Sequence, residues 1–92
     1  MKKYELIRDD KIEIGNQILY RIRAIKDFGD VKAGDVGGYI TSESNLSHDG
    51  NCWVYEDARV YEDACISGSV CVSGSAYIFG SAYIFESEYI LV

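Results

Sequence analysis

Proline is absent from this sequence, and its nine glycines follow no three-residue period. Together these facts exclude a collagen-like chain. No apolar run reaches 18 residues, so the sequence predicts no membrane-spanning helix. The opening residues, MKKYELIRDD, carry lysines with no apolar stretch behind them, so we expect no secretory signal peptide.

Cysteine and histidine are scarce, with three copies and one copy. An odd number of cysteines without a framework spacing favours free thiols and a cytoplasmic location. We expect Cys52 to point into the core, and Cys65 and Cys71 to point outward on adjacent faces. There is no CxxC pair and no Cys/His cluster, so we expect no metal ion and no other cofactor.

Positive charge is nearly missing from the second part of the chain. Residues 1–32 hold eight Lys/Arg and six Asp/Glu, a balance of +2. Residues 33–92 hold only Arg59 against nine Asp/Glu, a balance of −8. This acidity argues against direct binding of nucleic acid. It is compatible with competition for a basic protein surface.

A six-residue repeat begins at Val54 and continues through the rest of the chain. Each unit starts with an aliphatic residue, and in the first five units a small or β-branched residue follows four positions later. On a short strand this residue and the aliphatic residue two positions further on face the same side, which predicts an apolar interior. The units read VYEDAR, VYEDAC, ISGSVC, VSGSAY, IFGSAY and IFESEY.

Strands this short bury nothing alone, so each must stack on a neighbour one coil away. Three units make a triangular coil, and residues 18 apart should therefore stack, as Val60 on Ile78, with Ala64 facing inward. The repeat thus predicts an all-β protein, a parallel β-helix of about three coils occupying residues 34–92. Three coils are near the minimum for such a fold.

Extending the six-residue register backwards places Val36, Ser42 and His48 in the aliphatic columns. Two of these positions hold polar residues, while Ile40 and Leu46 occupy the partner positions. The total inward volume per unit is roughly kept, as a close-packed core requires. The pattern therefore predicts that the first coil contains no insertion.

Residues 1–33 differ from the repeat and are predicted to form an N-terminal β-hairpin cap. Gly15-Asn16 marks the hairpin turn between two strand-like segments. Tyr20, Ile22 and Ala24 should share one face of the second strand. An open solenoid end exposes its core and strand edges, so we expect the hairpin to fold over it.

The repeat resembles the left-handed β-helix of hexapeptide-repeat proteins, which include acyltransferases. The stretches LYRIRAIKDFGDVKAGDVGGYI and NLSHDGNCWVYEDARVYEDA resemble more closely the small β-helix proteins common in phages and prophages. The resemblance covers residues 19 to about 65 well. It implies left-handed coiling and a phage origin. The family usually has Gly where this chain has Glu56 and Glu62, so these corners are unusually acidic.

His48 is the one candidate for acyltransferase chemistry, in which a histidine at a subunit interface serves as general base. No loop interrupts the repeat to build a substrate cleft. We interpret His48 as structural and predict no catalytic residues. The protein is expected not to be an enzyme.

Two outward surfaces remain as candidate binding sites. An acidic cluster at the corners is either solvated solubility charge or a phosphate-mimicking surface; it comprises Glu56, Asp57, Glu62 and Asp63. An aromatic band on the last coil is either a self-association surface or simple cross-strand stacking; it comprises Tyr77, Phe79, Tyr83, Phe85, Tyr89 and Leu91. Glu88, at an inward position, would discourage the addition of further coils.

These features predict a non-enzymatic, acidic protein-binding module that forms a homodimer in the cytoplasm of a host cell. The leading hypothesis is a phage-encoded inhibitor of a host-defence or nucleic-acid-binding protein, as anti-CRISPR proteins are. It would act by steric and electrostatic blockade. A structural or assembly protein of the phage is the alternative, followed by a relic of a hexapeptide acyltransferase.

Overall fold

The computed structural model describes residues 2–85 together with the backbone of residues 89–91. The chain is all-β, with a single turn of 3-10 helix at Glu43–Asn45 within the described residues. None of its described helices is long and apolar enough to cross a membrane. The strands are β1 (Tyr4–Ile14), β2 (Gln17–Ala24), β3 (Val36–Ile40), β4 (Trp53–Val54), β5 (Arg59–Val60), β6 (Cys65–Ile66), β7 (Cys71–Ser73), β8 (Tyr77–Ile78), β9 (Tyr83–Ile84) and β10 (Tyr89–Leu91).

The short strands from β4 onward stack in parallel on the strands one coil away. Val60 pairs with Ile78, and Ile66 pairs with Ile84. The predicted spacing of 18 residues is therefore confirmed. Ala64 is buried, also as predicted. Within the described residues the strands form three sheets, in the orders β1-β2-β3-β5-β8, β10-β7-β4 and β6-β9.

The prediction that the first coil has no insertion is wrong. Ile40 pairs with Val60 and Leu46 with Ile66, each 20 positions later, and the 18-residue spacing begins only at β4. Two extra residues therefore lie between Leu46 and β4. A two-residue shift keeps the alternation of inward and outward side chains, so Ile40 and Leu46 remain buried.

The same shift explains why three residues that the six-residue register placed in the inward columns do not lie in the core. Val36 and Ser42, predicted inward, are exposed, and His48 is half-buried. The sequence suggested that large and small residues had exchanged places at neighbouring inward positions. In the structure, the whole first coil is instead shifted by two residues relative to the next coil. The inward column is continued by Ile40 above Val60 instead.

The N-terminal hairpin extends the five-stranded sheet at one edge. β1 and β2 pair antiparallel around Gly15-Asn16, which confirms the predicted turn. β2 then pairs antiparallel with β3, the first strand of the five-stranded sheet. The division into a unit of residues 1–33 and a unit of residues 34–92 stays a prediction.

Hairpin and coil share one apolar core. Tyr4, Ile22 and Ala24 of the hairpin are buried in the same cluster as Trp53 and Val54 of the coil. Trp53 meets the rings of Tyr4 and Phe28 edge-on, with centroid distances of 6.2 and 5.3 Å. The first coil is thus closed by aromatic side chains from outside the repeat. A smaller cluster on the outer face joins Leu19, Tyr39 and Tyr61.

Gly38 is required by the close approach of β3 to the next coil. A Cβ at this position would collide with the main-chain oxygen of Ala58 and come within 2.6 Å of Val54 Cγ1. Any side chain would therefore push β3 away from β5. The neighbouring Gly37 is required for the same reason, because a Cβ there would collide with the main-chain oxygen of Val54.

Buried Asn45 replaces missing backbone pairing between the first coil and the next. Its side-chain nitrogen donates to the main-chain oxygens of Glu62 and Ala64, at 3.2 and 2.8 Å. Its side-chain oxygen accepts from the amides of Thr41 and Ser42, both at 3.0 Å. One fully buried amide thus satisfies four main-chain groups.

Candidate interaction surfaces

Glu56 and Glu62 occupy corners of the coil in the left-handed backbone region. Their φ angles are 56° and 59°, close to those of Gly68 and Gly74 at equivalent corners, 71° and 73°. A residue with a side chain pays roughly 1–2 kcal/mol for this conformation. Each carboxylate accepts a hydrogen bond from the glycine amide 18 residues later, at 3.0 Å for Glu56 and 2.8 Å for Glu62. Both glutamates therefore connect successive coils.

Asp57 is paired with a cation that sequence reasoning missed. Its carboxylate lies 3.1 Å from Nη2 of Arg21, and Asp10 lies 3.2 Å from Nε of the same guanidinium. Arg21 also donates to the hydroxyl of Tyr39 and to the main-chain oxygen of Gly37, at 2.6 and 2.8 Å. The charge of Asp57 is therefore partly neutralised, although its side chain is 68% exposed.

The remaining acidic residues lie in different surroundings. Glu62 contacts Gln17 of the hairpin, whose side-chain oxygen accepts the Glu62 amide at 3.2 Å. Asp63 is exposed and lines a groove of about 470 Å³ together with Cys65 and Tyr83. Of the four predicted acidic residues, Asp57 and Asp63 have the side chains least committed to linking coils. Whether the four act as one surface stays a prediction.

The aromatic band is exposed wherever its side chains are described. Tyr77, Phe79, Tyr83 and Phe85 are 51%, 55%, 73% and 56% exposed. These large apolar groups lie on two successive faces of the coil, since β8 with Tyr77 belongs to the five-stranded sheet and β9 with Tyr83 to the two-stranded sheet. Exposed apolar groups of this size are typical of interaction sites. The side chains of Tyr89 and Leu91, and all of Glu88, lie outside the described residues.

Two of the four described side chains of the band are also held by contacts within the chain. The guanidinium of Arg59 lies 4.8 Å from the Tyr77 ring centre and 5.8 Å from that of Tyr39. Phe79 stacks on Tyr61, with ring centres 5.3 Å apart and an angle of 16°. These are the cross-strand contacts that the sequence left as the alternative for this band. Tyr83 is the most exposed of the four described members.

His48 has both ring nitrogens engaged within the chain. Nδ1 accepts the main-chain amide of Lys3 at 3.1 Å, which leaves Nε2 as the donor to Glu43 at 2.7 Å. Its ring stacks on Tyr4 with centres 4.1 Å apart. The hydrogen bond from His48, followed by that from Lys2, lowers the pKa of Glu43. This is the arrangement of a histidine that joins β1 to the first coil.

Lys3 is fully buried, which the sequence did not reveal. Its ammonium donates to the main-chain oxygens of Cys52 and Gly50, at 2.7 and 3.1 Å, and lies 3.4 Å from Cys52 Sγ. Burial lowers the pKa of Lys3 and raises that of the Cys52 thiol. A pair of lysines in a charged opening segment carries no signal for such a position, because the partners lie nearly fifty residues away.

All three cysteines are free thiols. Cys52 is buried, as predicted, whereas Cys65 and Cys71 are half-buried. In the part of the chain that the structure describes, no group of three His, Cys, Asp or Glu residues could hold a metal ion.

Comparison with known proteins gives one informative likeness. The chain is 43% identical over 63 residues to a protein of Escherichia coli strain K12 called uncharacterized acetyltransferase YdcK. The match covers 61% of this chain but 19% of the relative's length. No protein-family model matches the chain. The name of this relative points to an enzyme, which is weak evidence against the expectation of a non-enzymatic protein. The name also fits, loosely, the resemblance to hexapeptide-repeat proteins.

Proposed function

We propose that this protein is a short left-handed parallel β-helix that serves as a protein-interaction module and associates with a second copy of itself. The carrying observation is the exposure of Tyr77, Phe79, Tyr83 and Phe85 on two successive faces of the last described coil. Left-handed coiling is part of the proposal. The 18-residue strand stacking supports the β-helix. The resemblance to hexapeptide-repeat proteins supports its left-handed coiling, as does the likeness to a protein named as an acetyltransferase.

A second copy is the favoured occupant because the aromatic band offers stacking partners of its own kind. Aromatic rings pair by stacking or edge-to-face contact, and such pairs contribute about 0.5–1.5 kcal/mol beyond their buried area. Arg59, the single cation of residues 33–92, lies against Tyr77 beside the band. This guanidinium would attract the acidic corners of a second copy, so that no basic surface of a different partner is needed.

Sedimentation velocity over a range of protein concentrations tests the self-association. We expect the wild-type protein to form dimers, and the double variant Tyr83→Ser/Phe85→Ser to dissociate with a Kd at least about tenfold higher. The matched control is Ile25→Ser/Val36→Ser, which removes apolar groups that are also exposed, at 46% and 52%, but lie outside the band. A dimer constant that responds equally to both double variants would reject the aromatic interface.

Inhibition of a host nucleic-acid-binding protein is the second candidate, and the balance of −8 in residues 33–92 favours it. In this proposal a phage-encoded, anti-CRISPR-like protein acts in the host cytoplasm and blocks a basic groove with its acidic corners. Asp63 would supply most of the electrostatic part and Asp57 less, since Asp57 is paired with Arg21 and since Glu56 and Glu62 also hold coils together.

The test is target-DNA binding by a purified RNA-guided effector complex in the presence of this protein. Blockade that weakens in Asp57→Asn/Asp63→Asn, and weakens further with salt, would support the electrostatic mechanism. The control Asp27→Asn removes one exposed carboxylate of the N-terminal segment. Undiminished DNA binding by the effector at saturating protein would reject inhibition of that complex.

Acyl transfer is the third candidate, and the name of the E. coli relative favours it. Calorimetry with acetyl-CoA tests it directly. Binding that is lost in His48→Ala, with turnover of the thioester, would support a catalytic role. Heat signals equal to buffer dilution would leave the binding proposals standing.

A further inference from the structure

Lys3 and Cys52 form a buried amine–thiol pair that none of the proposed functions uses. Lys3 is fully buried, and its Nζ lies at a hydrogen-bonding distance of 3.4 Å from Cys52 Sγ. Two main-chain oxygens and the ring of Phe28, 4.5 Å from Nζ, hold the amine in place. Burial is the largest cause that lowers the pKa of Lys3 and raises that of Cys52, so it favours the neutral amine and the neutral thiol.

We propose that peroxide oxidation joins Lys3 to Cys52 through a covalent Nζ–Sγ bond, a sulfenamide. One hydrogen peroxide first converts the thiol to a sulfenic acid: the O–O bond breaks, an S–O bond forms and one water leaves. The neutral amine then attacks sulfur, the N–S bond forms, and the hydroxyl departs with an amine proton as a second water. Sulfur loses two electrons and the peroxide gains them.

The geometry favours the amine over other fates of the sulfenic acid. Sulfenic acids condense with a nearby nitrogen when one is held in reach. Here the nitrogen is anchored by the oxygens of Gly50 and Cys52 and cannot swing away without leaving both unpaired. Burial also keeps other thiols from Cys52, so an intermolecular disulfide is disfavoured.

Peroxide oxidises Cys52 when the segment before β1 opens, because burial in the closed fold raises the pKa of the thiol and disfavours the reactive thiolate. The amine attacks the sulfenic acid after the segment closes again. The main chain of Lys3 is held by its amide to His48 and by its oxygen, which accepts the amide of Ile25 at 2.8 Å. Local openings of this kind need less free energy than global unfolding. The rate of crosslinking should therefore follow the opening of this segment.

The crosslink would join residues 49 positions apart and fasten β1 to the first coil. Closing a loop of this length removes conformational freedom from the unfolded chain. Oxidation would thus act as a latch on the N-terminal part of the fold. It requires neither self-association nor a partner.

The experiment uses the full chain with Cys65→Ser and Cys71→Ser, so that Cys52 is the one remaining thiol. After treatment with hydrogen peroxide, we expect an intact mass lower by about 2 Da, the loss of two hydrogens. Protease digestion should yield a peptide in which Lys3 and Cys52 are linked, and dithiothreitol should release it. The midpoint of thermal unfolding should rise by roughly 10 °C.

Lys3→Met is the matched variant, since it keeps the length of the side chain but lacks the amine. It should be oxidised at Cys52 with a mass gain and no crosslink. Sulfinic acid at Cys52 beside unmodified Lys3, a linked product heavier by an oxygen atom, or an unreacted Cys52 in the parent protein would each overturn the proposal. Peptide mapping of the parent protein decides the matter even where Lys3→Met does not fold.

Discussion

The first coil and the later coils share the same alternation of inward and outward residues but are filled by different side chains. The later coils pair small and aliphatic residues, such as Ala64 with Ile66 and Ala76 with Ile78. The first coil is closed by Tyr4 and Trp53 and by buried polar groups. We therefore expect the later coils to contribute similar amounts of stability each, whereas a few non-repeating residues supply most of the stability of the first coil.

The largest expected effect is that of removing the aromatic closure. Trp53→Ala should lower the free energy of unfolding by about 3–5 kcal/mol, because it empties the space between Tyr4 and Phe28. Ile84→Ala, at a half-buried position of the last described coil, should cost only about 1–2 kcal/mol. Urea denaturation of both variants measures the difference. Equal losses would contradict the uneven distribution of stability.

Asn45 should rank second. Asn45→Ala leaves four main-chain groups without their side-chain partner, and we expect a loss of about 2–4 kcal/mol. Its exposed neighbour provides the control, since Ser44→Ala should change stability by no more than about 0.5 kcal/mol. If the two variants unfold at the same urea concentration, water replaces the Asn45 bonds and the bridging role is wrong.

A corner of the repeat should show a smaller effect whose size depends on the substitution. Glu62→Ala keeps the positive φ but loses the hydrogen bond to Gly80, at a cost of about 1 kcal/mol. Glu62→Gly loses the same bond but is relieved of the backbone strain, so it should be nearly neutral. Thermal unfolding distinguishes the two. A glycine variant less stable than the alanine variant would refute the strain argument.

The smallest effect concerns the ion pair at the first coil. Because its folded-state pKa lies below the ordinary value of 4.5, Glu43 stabilises the fold above pH 4.5. This contribution is lost as the pH falls through the lowered pKa. The carboxylate is 37% exposed, so the effect should stay below about 1 kcal/mol.

Urea midpoints of wild type and Glu43→Gln should therefore converge as the pH falls from about 6 to about 3. Glu13→Gln, which neutralises an exposed strand residue, serves as the reference for a general charge effect. Parallel pH profiles for wild type and Glu43→Gln would mean that the hydrogen bond with His48 contributes nothing to folding.

Much of the later coil region could be predicted from its spacing, since Val60 and Ile78 stack and Ala64 faces inward. The register of the first coil could not. Ile40 and Leu46 face inward under either register. Side chains on a strand alternate between inward and outward every two residues, so a two-residue shift does not change which of them face the core. The insertion becomes visible only when each strand is matched to its neighbour.

The candidate site residues were predictable in type but not in role. The exposure of Tyr83 and Phe85 follows from the hexad pattern. The pairing of Asp57 with Arg21 joins residues 36 positions apart, and nothing in the local sequence marks it. Lys3 lies beside Lys2 in the sequence, yet one is buried and the other exposed.

By itself the sequence determined that the chain is all-β, that its coils repeat every 18 residues from β4 onward and that aromatic groups lie on the outside. These properties follow from local alternation, which each short strand carries in its own residues. The tertiary structure alone decided the two-residue offset of the first coil, the placement of the hairpin on a sheet edge and the burial of Lys3 against Cys52. Those outcomes depend on which distant main-chain groups need partners, and only the folded chain brings them together.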